Sequence, residues 1–356
     1  MAPSKRPPAV TIDDVARRAG VSISTVSRVV NRTVPVSDDA VARVQSAMRD
    51  LKYRPRAAAR SLATRTTNTL GLLLTGIYGD FFTPLLSGVE QVAGDAGFDL
   101  LISTSRRASR DGLAQLLGAH NTDGLLVFAD SLDEAGLAHY HDSGLPLILI
   151  HQSPPGDLDI PCVTVENKAA SCRLVEHLIA VHGRRRIAFL RGPEAHEDSY
   201  WREIGYRQAL EAAGLPFDPT LVAAGGFDRD VAHRAVHDLL AGGAQPDAIF
   251  AGDDEAAVGV LSALFEAGRQ VPDDIAVVGF DDQRLSAYLT PPLTTIRAPT
   301  EEVGRQAARQ LISLIRTGQA DRLVLLPTEL VIRRSCGCPS PSAIGGPPSI
   351  SIGGQD

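Results

Sequence analysis

Thr11-Ile12-Asp13-Asp14-Val15-Ala16-Arg17-Arg18-Ala19-Gly20-Val21-Ser22-Ile23-Ser24-Thr25-Val26-Ser27-Arg28-Val29-Val30-Asn31 is the stretch that decides the reading of this chain. It predicts two short helices joined by a tight turn at Gly20, where a left-handed backbone suits glycine. Thr11 is placed to cap the first helix, with Asp14 three positions on as a weaker form of the capping box. Ile12, Val15, Ala16 and Ala19 fall on one helical face. Ser22 is placed to cap the second helix, whose Val26, Val29 and Val30 face inward. Ser22, Ile23, Ser24, Thr25, Ser27, Arg28 and Asn31 are left for an outer face. Small hydroxyls can meet phosphates and a guanidinium can meet a guanine edge, which is what a helix lying in a major groove needs. The stretch is therefore expected to be an all-α helix-turn-helix DNA-binding head.

Working outward, a third helix follows. Ser37 can cap it, Asp38 and Asp39 favour its N-terminus, and Val41, Val44, Met48 and Leu51 form its expected inner stripe. Next comes Tyr53-Arg54-Pro55-Arg56-Ala57-Ala58-Ala59-Arg60-Ser61-Leu62-Ala63. The alanines favour helix, but the run is too short to hold one alone in water, so it should form only against a partner. Charge separates this part from the rest. Residues 1–65 carry 13 basic and 5 acidic side chains, a balance of +8, whereas the remainder carries 22 and 37, a balance of −15. A basic head on an acidic body is the electrostatic footprint of a nucleic-acid binder whose larger part does something else.

The 356 residues exceed one typical domain, and the body can bury a core or two. No apolar run reaches membrane-spanning length, and the start of the chain, with Lys5, Arg6 and prolines, shows no apolar signal region. A cytoplasmic protein with no membrane partner is expected. Cys162, Cys172, Cys336 and Cys338 are too few for a disulfide framework. Cys336-Gly337-Cys338 is read as two inert thiols, because neither a second pair nor a His lies near it in sequence, so no metal and no cofactor are expected. The Pro-, Gly- and Ser-rich tail 339–356 reads as disordered.

Between these ends, apolar strands alternate with amphipathic helices. Leu70–Leu74, Phe98–Ser103, Gly124–Phe128 and Leu147–Ile150 read as buried strands, and the pattern restarts after Val165 with Ile187–Leu190, Leu221–Ala223, Ala248–Ala251 and Ile275–Gly279. Such alternation implies parallel sheets with helices on both faces. Two successive sets imply an α/β body of two parallel-sheet subdomains facing a cleft at the strands' carboxyl ends. Enzyme signatures fail: His196-Glu197 is followed by Tyr200 where a zinc-protease helix needs a second His, and no phosphate loop occurs. The non-enzyme reading is preferred, with a cleft enzyme acting on a sugar-like ligand as the alternative of a different class.

Asp14-Val15-Ala16, Ala19-Gly20-Val21-Ser22 and Ser24-Thr25-Val26-Ser27-Arg28-Val29-x-Asn31 resemble the head of the lactose-repressor (LacI/GalR) family of bacterial regulators. The body is similar too, from Thr69-Leu70-Gly71, through Phe280-Asp281-Asp282 and Pro291-Pro292-Leu293-Thr294-Thr295-Ile296, to Leu326-Pro327-Thr328-Glu329-Leu330-x-x-Arg333. The resemblance implies a periplasmic-binding-protein-like body and a transcriptional regulator, most simply a repressor. It further implies a homodimer on double-stranded operator DNA, controlled by a small polyhydroxylated effector, a sugar or alternatively a purine or nucleoside. It assigns DNA contact to Thr11, Ser22, Ile23, Ser24, Thr25, Arg28, Asn31, Tyr53 and Leu62, with Leu62 as a leucine wedge in a hinge helix. Arg56 stands where the family has Asn, and Gly79-Asp80 where it has Asn-Pro. The effector is assigned to Phe81, Phe82, Glu166, His196, Asp198, Arg202, Phe227, Asp253 and Asp281. The expected divisions are an arm 1–9, the head 10–54, a hinge helix and linker 55–67, the body 68–338 and the tail 339–356. Within the body, 68–165 with 297–324 form one subdomain and 166–296 with 325–338 the other. The chain should cross between them near Val165, after Pro291–Ile296 and near Leu325.

Overall fold

The structure, a computed structural model, describes residues 10–31, 34–53, 66–77, 79–105 and 117–339. The arm 1–9, the hinge segment with Leu62, and the tail beyond Pro339 lie outside the described residues. The head and the body are separate units.

In the head, α1 (Ile12–Ala19), α2 (Ile23–Asn31) and α3 (Asp38–Asp50) enclose a small core. Thr11 and Asp14 close a capping box: the Asp14 N–H donates to Thr11 Oγ1 at 3.4 Å and the Thr11 N–H donates to Asp14 Oδ2 at 2.9 Å. Gly20, at φ 64°, ends α1 and donates its N–H to the Ala16 carbonyl. Ser22 Oγ accepts the Thr25 N–H at 3.2 Å, capping α2. Val15, Ala16, Ala19, Val26, Val44 and Ala47 are buried, with Ile12, Val29, Val30, Met48, Leu51 and Tyr53 packed around them. The α3 stripe differs from the expected one. Ala40, Val44 and Ala47 are buried while Val41 is only half-buried, because small side chains let α3 close on α1. Ser37 occupies the N-cap position of α3 but makes no side-chain cap bond.

The body contains β1 (Thr69–Leu74), β2 (Asp99–Thr104), β3 (Gly124–Phe128), β4 (Leu147–Ile150), β5 (Cys162–Val165), β6 (Ile187–Arg191), β7 (Val222–Ala224), β8 (Ala248–Ala251), β9 (Ala276–Asp281), β10 (Thr294–Arg297), β11 (Leu323–Leu326) and β12 (Glu329–Val331). Its helices are α4 (Phe82–Asp95), α5 (Glu134–Asp142), α6 (Lys168–His182), α7 (Glu197–Ala212), α8 (Arg229–Ala241), α9 (Asp254–Glu266) and α10 (Thr300–Thr317). Among the described residues the strands form two six-stranded sheets, in the orders β11-β5-β4-β3-β1-β2 and β12-β10-β9-β8-β6-β7. The central strands β3, β4, β8 and β9 are buried throughout, as sheets covered on both faces demand. The registers are parallel, for example Leu72 opposite Leu126 and Ile249 opposite Val277. β12 departs from this, running antiparallel to β10. It enters from the hinge, at the carboxyl end of β10, and so runs back along it.

The chain passes between the sheets three times: from β5 into α6, from β10 into α10, and from β11 into β12. The last passage falls at Pro327–Thr328 rather than at Leu325, because Leu325 and Leu326 pair with Thr164 and Val165 in the first sheet. Neighbouring passages are bonded together. The Glu166 N–H donates to the Leu326 carbonyl at 2.9 Å, and Thr328 Oγ1 donates to the Glu166 carbonyl at 3.2 Å. Helix α10 packs on α4 through glycine: a Cβ on Gly304 would stand 2.2 Å from the Leu85 carbonyl oxygen, and one on Gly88 would stand 2.0 Å from that of Glu301.

Candidate ligand cleft and nucleic-acid interface

The carboxyl ends of strands from both sheets line a cavity of about 560 Å³. One wall is apolar. Phe81 and Phe82 open α4 and meet edge to face at 5.3 Å, and each also meets Phe128, at the end of β3, at 5.9 and 5.2 Å. The opposite wall is charged. Arg202, in α7, is buried and held on every side. Its Nε donates to Asn167 Oδ1 at 2.9 Å and its Nη1 to the Gly252 carbonyl at 2.7 Å. Its Nη2 lies 3.4 Å from Asp281 Oδ1 and 3.6 Å from Asp198 Oδ2. The guanidinium carbon stands 3.7 Å from the centroid of Phe280 and 5.3 Å from that of Phe227, within the range where a ring face attracts a cation.

His196 is the N-cap residue of α7, and Asp198 lies in the first turn, one helical turn before the arginine. Asp198 also lies 2.9 Å from Nδ1 of His151 and accepts from Asn167 Nδ2 at 2.8 Å. His151 and Asn167 were not expected from the sequence. The signal for His151 was its place directly after strand β4. Among the described residues Nδ1 of His196 is buried without a hydrogen-bond partner, and the ring meets Phe227 at 5.2 Å. Asp253 caps α9 by accepting the Ala256 N–H at 2.8 Å and still lines the cavity. Asp254 faces away, taking Thr295, Ser286 and the Gln283 N–H.

Glu166 stands apart from these residues. Its carboxylate turns back to accept the Ala169 N–H, at 3.1 and 2.9 Å, at the start of α6. It is absent from the cavity lining, so its place is in the hinge. Asp130, Asp228, Glu255 and Gln283 line the cavity as well. A wider groove of about 1130 Å³ lies along α10, but its Asp159, Arg309, Asp321 and Arg322 are exposed, so it concentrates no buried charge.

Burial sets the protonation of the acids. It pushes Asp281 up to about 6 and Asp254 to about 7, the first against the pull of Arg202, the second reinforced by the Asp281 charge. Burial and Asp281 together hold Asp253 well above the carboxylate range. In Asp198 burial is overcome by His151 and Arg202, and the carboxyl is held low. Burial lowers His196. Non-glycine residues in the left-handed region gather here too: Asp130 (φ 60°), His151 (φ 59°), Phe227 (φ 54°), Asp281 (φ 105°) and Asp282 (φ 54°). Such strained backbone persists where packing over-determines it, and it collects at ligand sites.

On the head, Ile23 (48 % exposed), Ser24 and Arg28 are exposed on α2. Ser22 Oγ lies 2.8 Å from both Ser24 Oγ and Thr25 Oγ1. Thr11 serves the α1 cap, Asn31 ends α2, and Tyr53 packs against the head core while its N–H donates to the Met48 carbonyl at 2.9 Å.

The family model "Bacterial regulatory proteins, lacI family" matches residues 11–56, and "Periplasmic binding protein-like domain" matches 175–336. The ribose operon repressor of Escherichia coli (strain K12) is 36 % identical over 327 residues, covering 89 % of this chain and 97 % of that protein. The solved complex of the transcriptional regulator CelR with cellobiose is 31 % identical, with a TM-score of 0.71, covering 93 % of this chain and 100 % of the other. The Lac repressor dimer bound to operator and an anti-inducer is 27 % identical, with a TM-score of 0.80, covering 92 % and 99 %. The chain belongs to the lacI family of bacterial regulatory proteins. It is a DNA-binding transcriptional regulator with a periplasmic-binding-protein-like body, and its relatives are named regulators and repressors rather than enzymes. The expected fold class is borne out. Among the described residues no helix is long and apolar enough to cross a membrane.

Proposed function

We propose that this protein is a repressor acting as a homodimer on a pseudo-palindromic operator and controlled by a sugar held in the cleft. The observation that carries the reading is the pairing of buried Arg202 with Asp198 and Asp281, beside Asp253 and the Nδ1 of His196 that has no partner among the described residues, and opposite the Phe81–Phe82–Phe128 wall. Vicinal hydroxyls can donate to the carboxylates and accept from the guanidinium fork, while the C–H face of a sugar ring rests on an aromatic. Cellobiose in the related CelR complex supports a carbohydrate. A nucleoside, whose base could also stack on phenylalanine, is the second reading.

In the head, Ile23, Ser24 and Arg28 read bases from the start of α2, while Ser22, Thr25, Thr11, Asn31 and Tyr53 meet the backbone or brace the helix that does. Leu62 enters the minor groove when two hinge segments fold together on DNA. The protein works on the chromosome, in the cytoplasm. The ligand acts by population shift: it binds one arrangement of the two sheets better than the other and so biases whether the hinge helices form.

Thermal stabilisation by a panel of pentoses, hexoses, disaccharides and nucleosides tests this. One sugar that stabilises the full chain, is left chemically unchanged, and alters operator affinity supports the reading. Stabilisation by nucleosides alone favours the second reading, and turnover of the ligand overturns both.

A further inference from the structure

The C-terminal strap brings together four side chains that are far apart in sequence. His177 and His182 lie at the end of α6, and Cys336 and Cys338 follow β12. One ligand atom from each lies within 4.8 Å of the others. Cys338 Sγ stands 3.6 Å from His177 Nε2 and 3.3 Å from His182 Nε2. All four cysteines are free thiols. We propose that these four residues form a structural site for a borderline-soft divalent cation, with zinc the best fit, apart from the ligand cleft and from the DNA-reading helix.

The geometry matches tetrahedral ligation. Bonds of about 2.3 Å to sulfur and about 2.0–2.1 Å to nitrogen, at the tetrahedral angle, leave S and N about 3.5 Å apart. The two Cys338–histidine distances bracket that value. Four residues separate His177 from His182, a spacing usual for a zinc pair. Only one residue separates the cysteines, fewer than usual, and Gly337 accounts for it. At φ 111° it turns the chain between the two sulfurs, and a Cβ there would stand 3.0 Å from His182 Nδ1. That imidazole is thus packed on the glycine by one nitrogen and presents the other to Cys338.

The surroundings are those of a built site. Thr294 Oγ1 accepts the Arg333 N–H at 2.8 Å, so its own proton is directed to Cys336 Sγ, 3.1 Å away. A hydroxyl donated to sulfur is the kind of outer contact that orients a metal-bound thiolate. Binding would release the two thiol protons to solvent as the Sγ–metal bonds form. The site ties α6, which starts just after the Glu166 passage, to the strap that starts just after the Thr328 passage. It would thereby lock the two chain segments that enter the second sheet.

The test is metal uptake by the full chain after chelation, in a non-coordinating phosphine reductant, with Co²⁺ as optical probe and Zn²⁺ as competitor. Expected are one equivalent bound, a thiolate-to-metal charge-transfer band with tetrahedral d–d absorption, displacement by Zn²⁺, and a higher thermal midpoint with Zn²⁺. Outer-shell changes alone weaken such sites by about 10–100-fold, so Cys338→Ser and His182→Gln should each lose at least about tenfold in affinity. Cys162→Ala, in β5 of the first sheet and outside the core cluster that holds Cys336, should lose nothing. Cys338 and His182 are only half-buried, and circular dichroism of the metal-free variants checks that they fold. Absence of uptake at one equivalent, uptake unchanged in the Cys338→Ser/His182→Gln double variant, or closure of Cys336 and Cys338 into a disulfide with no uptake after reduction would each overturn the proposal.

Discussion

Arg202 reaches four polar partners and faces two rings, so its removal takes the guanidinium away from buried Asp281 and Asp198. Breaking a buried pair from one side costs about 3–5 kcal/mol. Arg202→Ala should therefore lower the thermal midpoint of the ligand-free protein more than Asp281→Ala does, and both should abolish the effector response while leaving operator binding. An unchanged effector titration in both would show that the ligand sits elsewhere. Asp281 and Asp254 are carboxyls raised by burial to about 6 and about 7 in the folded state, above the ordinary 3.8. Their protonation stabilises the fold fully below the ordinary value, and that contribution is lost as pH rises through 6 and 7. Asp198 has the opposite sign: its low folded value contributes above 3.8 and is lost as pH falls. Denaturant unfolding of the ligand-free protein should thus show stability declining between about pH 4 and about pH 7, on the order of several kcal/mol. Asp281→Asn, which tolerates the same backbone, should flatten that decline, and a decline as steep in the variant would refute the assignment. On the head, Arg28→Ala should weaken operator binding by roughly 1–3 kcal/mol and random DNA little; equal losses in a mobility-shift titration would make Arg28 a phosphate contact instead.

At the scale of elements, two helix contacts carry opposite expectations for one kind of substitution. Gly304→Ala places a methyl against the backbone of α4, where nothing flexible can yield, and overpacking of this kind costs about 1–3 kcal/mol. Gly94→Ala, in α4 with open space around it, should stabilise by about 0.4–1 kcal/mol through the unfolded chain. Paired thermal melts separate the two; similar midpoints would mean that α4 and α10 are not held backbone to backbone. The hinge segment is the other element with a clear consequence. If Leu62 is the wedge, Leu62→Gly should weaken operator binding and leave effector affinity nearly intact, and a bound complex with unbent DNA would exclude that role.

For the molecule as a whole, charge and topology divide the labour. The basic head binds a polyanion and the acidic body does not, so operator affinity should fall steeply with salt while effector affinity changes little. The two sheets repeat one architecture, and the three passages between them, two of them cross-bonded at Glu166, Leu326 and Thr328, allow closure about one line while each half stays rigid.

Much of this was legible in the residues alone. The capping box at Thr11–Asp14, the turn at Gly20 and the apolar faces of α1 and α2 depend on neighbours within a few positions, which a sequence displays. The long buried strands are legible for the same reason, since strands covered on both faces need no polar alternation. The strands β5, β10, β11 and β12, at or next to one edge of each sheet, were not expected as strands, because they form by pairing with partners beyond a hinge passage of the chain rather than from a buried apolar run. Tertiary structure also decided which polar groups meet. His151 and Asn167 join Asp198 and Arg202 across the cleft, Glu166 turns away to cap α6, and Cys336 and Cys338, which read as inert for want of a nearby histidine, find two of them at the end of a helix some 150 residues earlier. Periodicity and caps are short-range physics written along the chain, whereas desolvation, charge pairing and ligand clusters are set by distances that only the folded chain defines.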